Sequence, residues 1–365
     1  MSNIIYIEYP TTYWSDLLNE LHDQMNFEVY FIEPTAKHYN FDIAELQTKA
    51  HYKFNYLKRI YLFNRAINTG VFPAIRKHKP QYIITREFSI ITLLVALRKK
   101  IFREKYTVIV RCDDSYDMVS NKNEFTKIHR IARKILMPWI DNIILVEPRV
   151  VEWYHKHYQK GILFPILQKD NDFREKLQKS ISISNALINK YKLSGKKVVA
   201  FVGRFVKLKN IDILINTFIN INYPNSVLLL IGDGEEKKTL QNKYKDNEQI
   251  IFTGNLQGEK LYAFYNCISV LALLSDREAF GAVINEALLA GAKILASKRA
   301  GASFLINGNN GELVNPYDQD IVKTKLEKLI ADVPAISCMT DIRPSNMPFT
   351  FDHAIKNLIK GIKNT

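Results

Sequence analysis

Arg204 and Lys209 stand five residues apart in FVGRFVKLKN, between an apolar run that reads as a strand and a segment that reads as a helix. Gly203 lets the backbone turn sharply at the strand end, and both cations then lie beside a helix amino terminus, whose unpaired amides also attract anions. That grouping suits a pyrophosphate; basic residues in a strand-to-helix loop can equally be solvated. A second strand end carries Gly232-Asp233-Gly234 in IGDGEE. Strand followed by Gly-x-Gly resembles a dinucleotide-binding fingerprint lacking its third glycine, and reads as well as a tight turn. The most specific stretch is SDREAFGAVINEALLAGAK. Here Glu278 lies in the loop after a strand, Ala279, Phe280 and Gly281 lead into a helix, and Glu286 follows eight positions after Glu278. If Gly281 opens that helix, its free amides face a phosphate or sugar, and the two flanking carboxylates suit the vicinal hydroxyls of a ribose or hexose. The plainer alternative has Glu278 capping the helix amino terminus and Glu286 solvated.

These residues fall at strand ends, so the elements around them decide where they point. In the first half, strands are expected over Ile4 to Glu8, Val29 to Ile32, Gln81 to Thr85, Thr107 to Arg111 and Asn142 to Val146. Amphipathic segments lie between them: Trp14 to Met25, Ser89 to Lys100, Glu124 to Met137 and Pro148 to Tyr158. In the second half KKVVAFVG, SVLLLIG, QIIFTG, CISVLALLS and AKILAS are near-continuous apolar runs, as strands buried on both faces should be. Helices are expected between them over Ile211 to Ile221, Glu235 to Tyr244, Glu259 to Asn266 and Ala282 to Leu289. This alternation predicts an α/β chain of two Rossmann-like, doubly wound domains facing across a cleft, with ligands beyond the carboxyl ends of the strands. The expected division is an amino-terminal domain at 1–165, a linker with a short helix at 166–195, a second domain at 196–345, and a terminal helix at 346–365 that packs back toward the first domain. No repeat of solenoid period is present.

Composition narrows the class. The chain has 365 residues, 47% of them hydrophobic, which excludes intrinsic disorder. Cys112, Cys267 and Cys338 are too few and scattered for a disulfide framework or a zinc site. The amino terminus lacks the pattern of a secretory signal, and the run Ile90 to Leu97 is too short to span a bilayer, so a cytoplasmic protein is expected. Lys and Arg total 51 against 37 Asp and Glu, a formal +14. Residues 51–134 alone hold 19 Lys/Arg and 6 Asp/Glu, a net +13, with Tyr, Phe and Leu interleaved in HYKFNYLKRIYLFNRAI and VFPAIRKHK. The pattern suits contact with anionic lipid, a nucleic-acid groove, or an ordinary solvated face over core aromatics.

The strings GRFVKLKN, LLLIGDGEEKKTL, IIFTGNLQGEKLYAFYNCISVLALLSDREAFGAVINEALLAGAKILAS and NGELVNP, in this order over residues 196–320, resemble the nucleotide-binding domain of family 4 retaining glycosyltransferases with the GT-B fold. The resemblance implies that Arg204 and Lys209 hold a donor diphosphate beside Gly203, Gly232 and Gly234. It also implies that Glu278 contacts the transferred sugar, that the backbone at Ala279, Phe280 and Gly281 contacts its other polar groups, and that Glu286 binds the ribose. It implies a metal-independent, retaining transfer of a hexose from a nucleotide-diphosphate sugar, UDP favoured, to a glycan or lipid-linked glycan hydroxyl, as in capsule or O-antigen assembly. No cofactor is expected.

The first domain resembles the family only loosely. EYPTTYWSD has no glycine where relatives carry a glycine-rich loop, and Cys112 and Asp113 in VIVRCDDSYD stand where relatives carry a His-Asp pair. Asp113 or Asp114 could orient the acceptor, or the strand end could be a structural turn. In ASKRAGASFL the usual two glycines and acid become Ala300, Gly301 and Phe304. The triplets Asp170-Asn171-Asp172 and Asp318-Gln319-Asp320 match a metal-binding D-x-D pattern but fall in polar loops or helix starts. On an acceptor domain the basic stretch 51–134 would bring the site to membrane-tethered acceptors at the inner face of the plasma membrane. A sugar-nucleotide epimerase of the same fold and a non-catalytic nucleic-acid-binding protein are the alternatives; no nucleic-acid recognition motif is present, so no nucleic-acid partner is expected.

Overall fold

The computed structural model describes residues 2–35, 42–62, 65–121 and 125–365. They form two compact units, Met1–Ile166 with Asp352–Thr365, and Leu167–Phe351.

The first unit holds β1 (Asn3–Ile7), β2 (Phe27–Phe31), β3 (Asn55–Tyr56), β4 (Arg59–Leu62), β5 (Arg65–Asn68), β6 (Tyr82–Arg86), β7 (Thr107–Cys112), β8 (Asn142–Leu145) and β9 (Ile162–Leu163). Seven of them make a parallel sheet in the order β3-β2-β1-β6-β7-β8-β9, while β4 and β5 pair as a separate antiparallel hairpin. The strand order reverses between β1 and β6, the position where doubly wound sheets open toward ligands. Ile4, Tyr6, Ile83, Val108, Val110, Ile143 and Leu145 build the core on one sheet face. Helix Thr12–Met25 starts at Thr11, whose hydroxyl accepts the Tyr13 amide at 3.2 Å. It buries Trp14, Leu17, Leu18, Leu21 and Met25 at helical spacing and stops at Asn26 in the left-handed region.

The second unit holds β10 (Lys197–Val202), β11 (Ser226–Ile231), β12 (Ile250–Gly254), β13 (Val270–Leu273), β14 (Lys293–Ser297) and β15 (Gly311–Val314), all parallel in the order β12-β11-β10-β13-β14-β15. Every residue of β11 is buried, which explains why its sequence shows no polar alternation. The order reverses between β10 and β13, so the loops after these two strands border the switch point.

The expected α/β class and its long strands are present. Several short elements are additional: β3 and β9, two residues each, are too short to show a period. β15 begins on Gly311, a poor strand former, because an added Cβ there would lie 2.3 Å from the Ile294 carbonyl oxygen. The expected helix start at Glu124 lies outside the described residues; the helix is seen over Lys127–Leu136.

Residues 166–195, read from the sequence as a linker with a short helix, contain two helices, Asp170–Lys179 and Ile181–Lys190, and lie almost wholly in the second unit. Both pack on helix Glu259–Cys267. Their buried positions, Phe173, Leu177, Ser184 and Ile188, include a serine and are widely spaced, which hides the apolar stripe. The terminal helix Phe351–Lys363 is grouped from Asp352 with the first unit, where Thr365 accepts the Asn142 amide at 3.0 Å.

A linker would tolerate truncation of Leu177. A packed helix should not: Leu177→Ala is expected to cost about 2–5 kcal/mol, read as a lowered melting temperature, whereas exposed Lys179→Ala should leave it within experimental scatter.

Candidate functional site

In the second unit the strand-end loops meet backbone on backbone. The Gly203 amide donates to the Ile231 carbonyl at 3.0 Å, Phe205 to Asp233 at 2.8 Å and Glu236 to Phe205 at 2.9 Å. A Cβ on Gly232 would lie 1.8 Å from the Gly203 carbonyl oxygen, and one on Gly234 2.5 Å from that of Phe205. Gly232 and Gly234 thus have a packing role of their own, at φ values of +143° and +154°. Asp233 between them pairs with Lys237 at 2.8 Å, which holds its carboxyl below the ordinary range.

Past Gly203 the chain exposes Arg204, which makes no ion pair among the described residues, and buries Phe205. A single turn over Lys207–Lys209 ends at Asn210 in the left-handed region, from which helix Ile211–Ile219 departs. The Asn210 side-chain amide donates to the Leu274 carbonyl at 2.9 Å, tying that turn to the end of β13. This places the Lys209 ammonium in direct contact with a Glu278 carboxylate oxygen, across 69 residues of chain.

Glu278 is itself fixed through its backbone. It bridges Ala300 in parallel; its carbonyl accepts the Gly301 amide at 3.1 Å, and the Phe280 carbonyl accepts that of Ala302 at 2.7 Å. A side chain on Gly301 would meet the Ala279 carbonyl oxygen at 2.1 Å. The Phe280 ring is buried, so this residue can offer a ligand only its backbone. Gly281, at φ +93°, opens helix Ala282–Leu289 with no side-chain cap. The first amides of that helix have no acceptor within it. Capping by Glu278 is therefore not its role here; its carboxylate goes to Lys209. Nor is Glu286 a solvated carboxylate. Burial pushes it up to about 7, against the opposing pull of the Tyr265 hydroxyl, which donates to it, and of Lys176.

The first unit gathers charge at the carboxyl ends of β1, β6 and β7. Arg86 and Arg111 are register partners on adjacent strands, an unfavourable like-charge pairing. Arg86 pairs with Glu8. Arg111 is 3% exposed and lies over the Trp14 ring at 3.6 Å; burial lowers its pKa. Its Nε and Nη1 have no hydrogen-bond partner among the described residues, and neither has Asp113 Oδ1, 3.5 Å from Nη1. Asp114 is committed elsewhere: Arg133 grips it through both nitrogens at 2.7 and 2.8 Å, and the Tyr154 hydroxyl donates to it at 2.8 Å. Glu87, raised chiefly by burial and then by Asp114 and Asp113, borders the same group.

The sequence had marked Asp113 and Asp114 but not Glu87, Arg111, Arg133 or Tyr154. One signal was available, since Arg86 and Arg111 each interrupt an apolar strand. The two D-x-D triplets lie at helix starts: Asp170 accepts the Phe351 amide at 2.7 Å and Asp318 accepts that of Ile321 at 3.3 Å. Among the described residues no three His, Cys, Asp or Glu side chains are grouped to hold a metal ion.

Residues 184–337 match the family model described as Glycosyl transferases group 1. The sulfoquinovosyl transferase of Arabidopsis thaliana is 32% identical over 141 residues, 38% of this chain and 27% of that protein. The capsular polysaccharide biosynthesis glycosyltransferase CapM of Staphylococcus aureus is 30% identical over 182 residues, 47% of this chain and 44% of that protein. The chain thus spans less than half the length of these curated relatives. The crystal structure of Anabaena HepE in complex with UDP superposes over 100% of this chain and 95% of its own, with a TM-score of 0.69 at 17% identity. The α/β architecture of two parallel-stranded units is that of the GT-B fold.

The raised Glu286 carboxyl gives stability a pH dependence of known sign. Below its unfolded value near 4.5 the group is neutral in both states; between 4.5 and about 7 only the unfolded chain releases the proton, so stability falls as pH rises. Glu286→Gln should remove this slope, worth up to about 3 kcal/mol across that window, in urea denaturation followed at several pH values.

Proposed function

We propose that the protein is a retaining glycosyltransferase that moves a hexose from a nucleotide-diphosphate sugar, UDP-linked by preference, to a hydroxyl of a glycan or lipid-linked glycan. The carrying observation is the Lys209–Glu278 contact beside the helix that Gly281 opens, inside the stretch that matches glycosyl transferases. A cation next to a carboxylate suits a ligand with a diphosphate on one side and sugar hydroxyls on the other. The UDP preference is supported by HepE, whose structure contains UDP, and a role in surface-polysaccharide assembly by CapM.

In this reading Lys209, exposed Arg204 and the first amides of helix Ala282–Leu289 bind the diphosphate and stabilise the negative charge that grows on it as the anomeric C–O bond breaks. Glu278 holds hydroxyls of the oxocarbenium-like sugar, and the Glu286 carboxylate, oriented by Tyr265, takes the ribose hydroxyls. The acceptor oxygen bonds to the anomeric carbon on the face the phosphate leaves, and its proton passes to the departing phosphate oxygen, so no side-chain base is required. The cations supply the charge stabilisation that a metal supplies elsewhere, which makes the reaction metal-independent. On the first unit, Asp113 Oδ1 and Arg111 Nη1, an ion pair at 3.5 Å in which neither atom makes a hydrogen bond, offer one acceptor and one donor, the complement of an acceptor-substrate hydroxyl.

Transfer is tested by incubating the protein with a panel of nucleotide sugars and candidate glycan acceptors. Glu278→Ala and Lys209→Ala should each lower turnover by about 10²–10³-fold with the circular dichroism spectrum unchanged, and near-normal turnover in both would sink the assignment. Conversion of the donor to its epimer with no acceptor present would instead favour the epimerase. Asp113→Asn should raise the acceptor KM at least about tenfold, the effect of one lost charge-assisted hydrogen bond, without weakening nucleotide binding measured by calorimetry.

A further inference from the structure

Helix Lys127–Leu136 buries Leu136 and packs Ala132 on the core, yet it also turns a charge inward and leaves an apolar stripe outside. A helix on the surface of a soluble domain normally turns apolar side chains inward and charges outward. Here Arg133 points into the first unit, held by Asp114 and stacked on Phe125 at 4.1 Å and Phe88 at 4.6 Å. Ile128, Ile131 and Ile135, spaced to form one stripe, are 77%, 59% and 48% exposed. The Arg133–Asp114 pair fixes the rotation of the helix, so the isoleucines cannot turn inward without uncovering a buried carboxylate. Lys127, Arg130 and Lys134 form a second exposed stripe beside them, and the helix carries no acidic residue.

The neighbouring helix Ile90–Phe102 extends the same character. Ile90, Leu93, Ile101 and Phe102 are exposed, and the exposed cations Lys100 and Arg103 lie where it ends, Lys99 being held by Asp141 at 2.6 Å. Lys100 lies over the Trp139 ring at 4.5 Å, next to the end of helix Lys127–Leu136. The aromatic and basic run at 51–79, which the sequence also brings forward for such contact, is different. Tyr52, Leu57, Val71 and Ile75 are buried there, and the side chains of 61–67 lie outside the described residues.

We propose that the face made by helices Ile90–Phe102 and Lys127–Leu136 lies on an anionic lipid surface, the isoleucines entering the acyl boundary and the flanking cations meeting lipid phosphates. Among the described residues no helix is long and apolar enough to cross a membrane, so the contact is interfacial. Charge decides the occupant: a second copy of this face would bring like charges together, whereas an anionic bilayer complements both stripes. The proposal does not depend on the glycosyltransferase reading.

Sedimentation with phosphatidylcholine vesicles, with and without phosphatidylglycerol, tests it. The full chain should bind only when phosphatidylglycerol is present. Ile128→Ser with Ile131→Ser, and separately Lys127→Gln with Arg130→Gln and Lys134→Gln, should each weaken binding at least about tenfold, all side chains being exposed and thermal unfolding unchanged. Lys53→Gln with Lys58→Gln, on the other run, should bind as the unaltered chain does. Three outcomes overturn the proposal: equal binding to neutral vesicles, binding that survives both helix variants, or self-association in sedimentation velocity that the serine variant abolishes.

Discussion

At the carboxyl ends of β10, β11 and β14 backbone lies against backbone with no room for a methyl group. The spaces that a Cβ on Gly232, Gly234 or Gly301 would need are already filled by the carbonyls of Gly203, Phe205 and Ala279, at 1.8, 2.5 and 2.1 Å. Loops packed this closely have little slack, and their positions are passed to the side chains they carry. That is how Lys209 and Glu278, far apart in the chain, come into contact with both termini of the arrangement anchored: Asn210 on the Leu274 carbonyl, and Glu278 through the backbone of Ala300 and Gly301. A site assembled this way loses little conformational freedom when a ligand arrives.

The first unit solves the equivalent problem with charge. Where glycines would allow close loops it has Glu8 after β1, Arg86 at the end of β6 with Glu87 after it, and Arg111, Asp113 and Asp114 around the end of β7. Buried charges keep their places only if their partners do, because an unpaired one costs several kcal/mol, about 3–5 when a partner is removed. One such pair is looser: Arg111 Nη1 and Asp113 Oδ1 face each other at 3.5 Å with no hydrogen bond to either, at a strand end where one polar group of a ligand could satisfy both.

What the sequence shows and hides follows from the range of the interactions. The apolar runs of β10, β11, β13 and β14 are local patterns and were legible, as were Lys209, Glu278 and Gly281, whose spacing along loops and helix starts is also local. β15 was hidden because its glycine serves a neighbour rather than its own strand, and the helices over 170–190 because serine fills part of their buried stripe. Tyr265 against Glu286, and Arg133 against Asp114, are contacts between distant segments that no spacing announces. Basic charge over 51–134 was countable, but which side chains face outward depends on helix rotation, and one such ion pair sets it.

In the absence of ligand, Lys209 and Glu278 neutralise each other, each largely shielded from water. An inorganic anion that drew the ammonium away would leave the carboxylate deprived of its partner and facing a second negative charge. A neutral sugar that engaged the carboxylate alone would strand the ammonium. Only a molecule carrying an anion and hydroxyls on one covalent frame replaces both halves of the contact at once. In the proposed donor-binding role, the resting pair thus works as a coincidence detector for an anion and hydroxyls joined in one molecule.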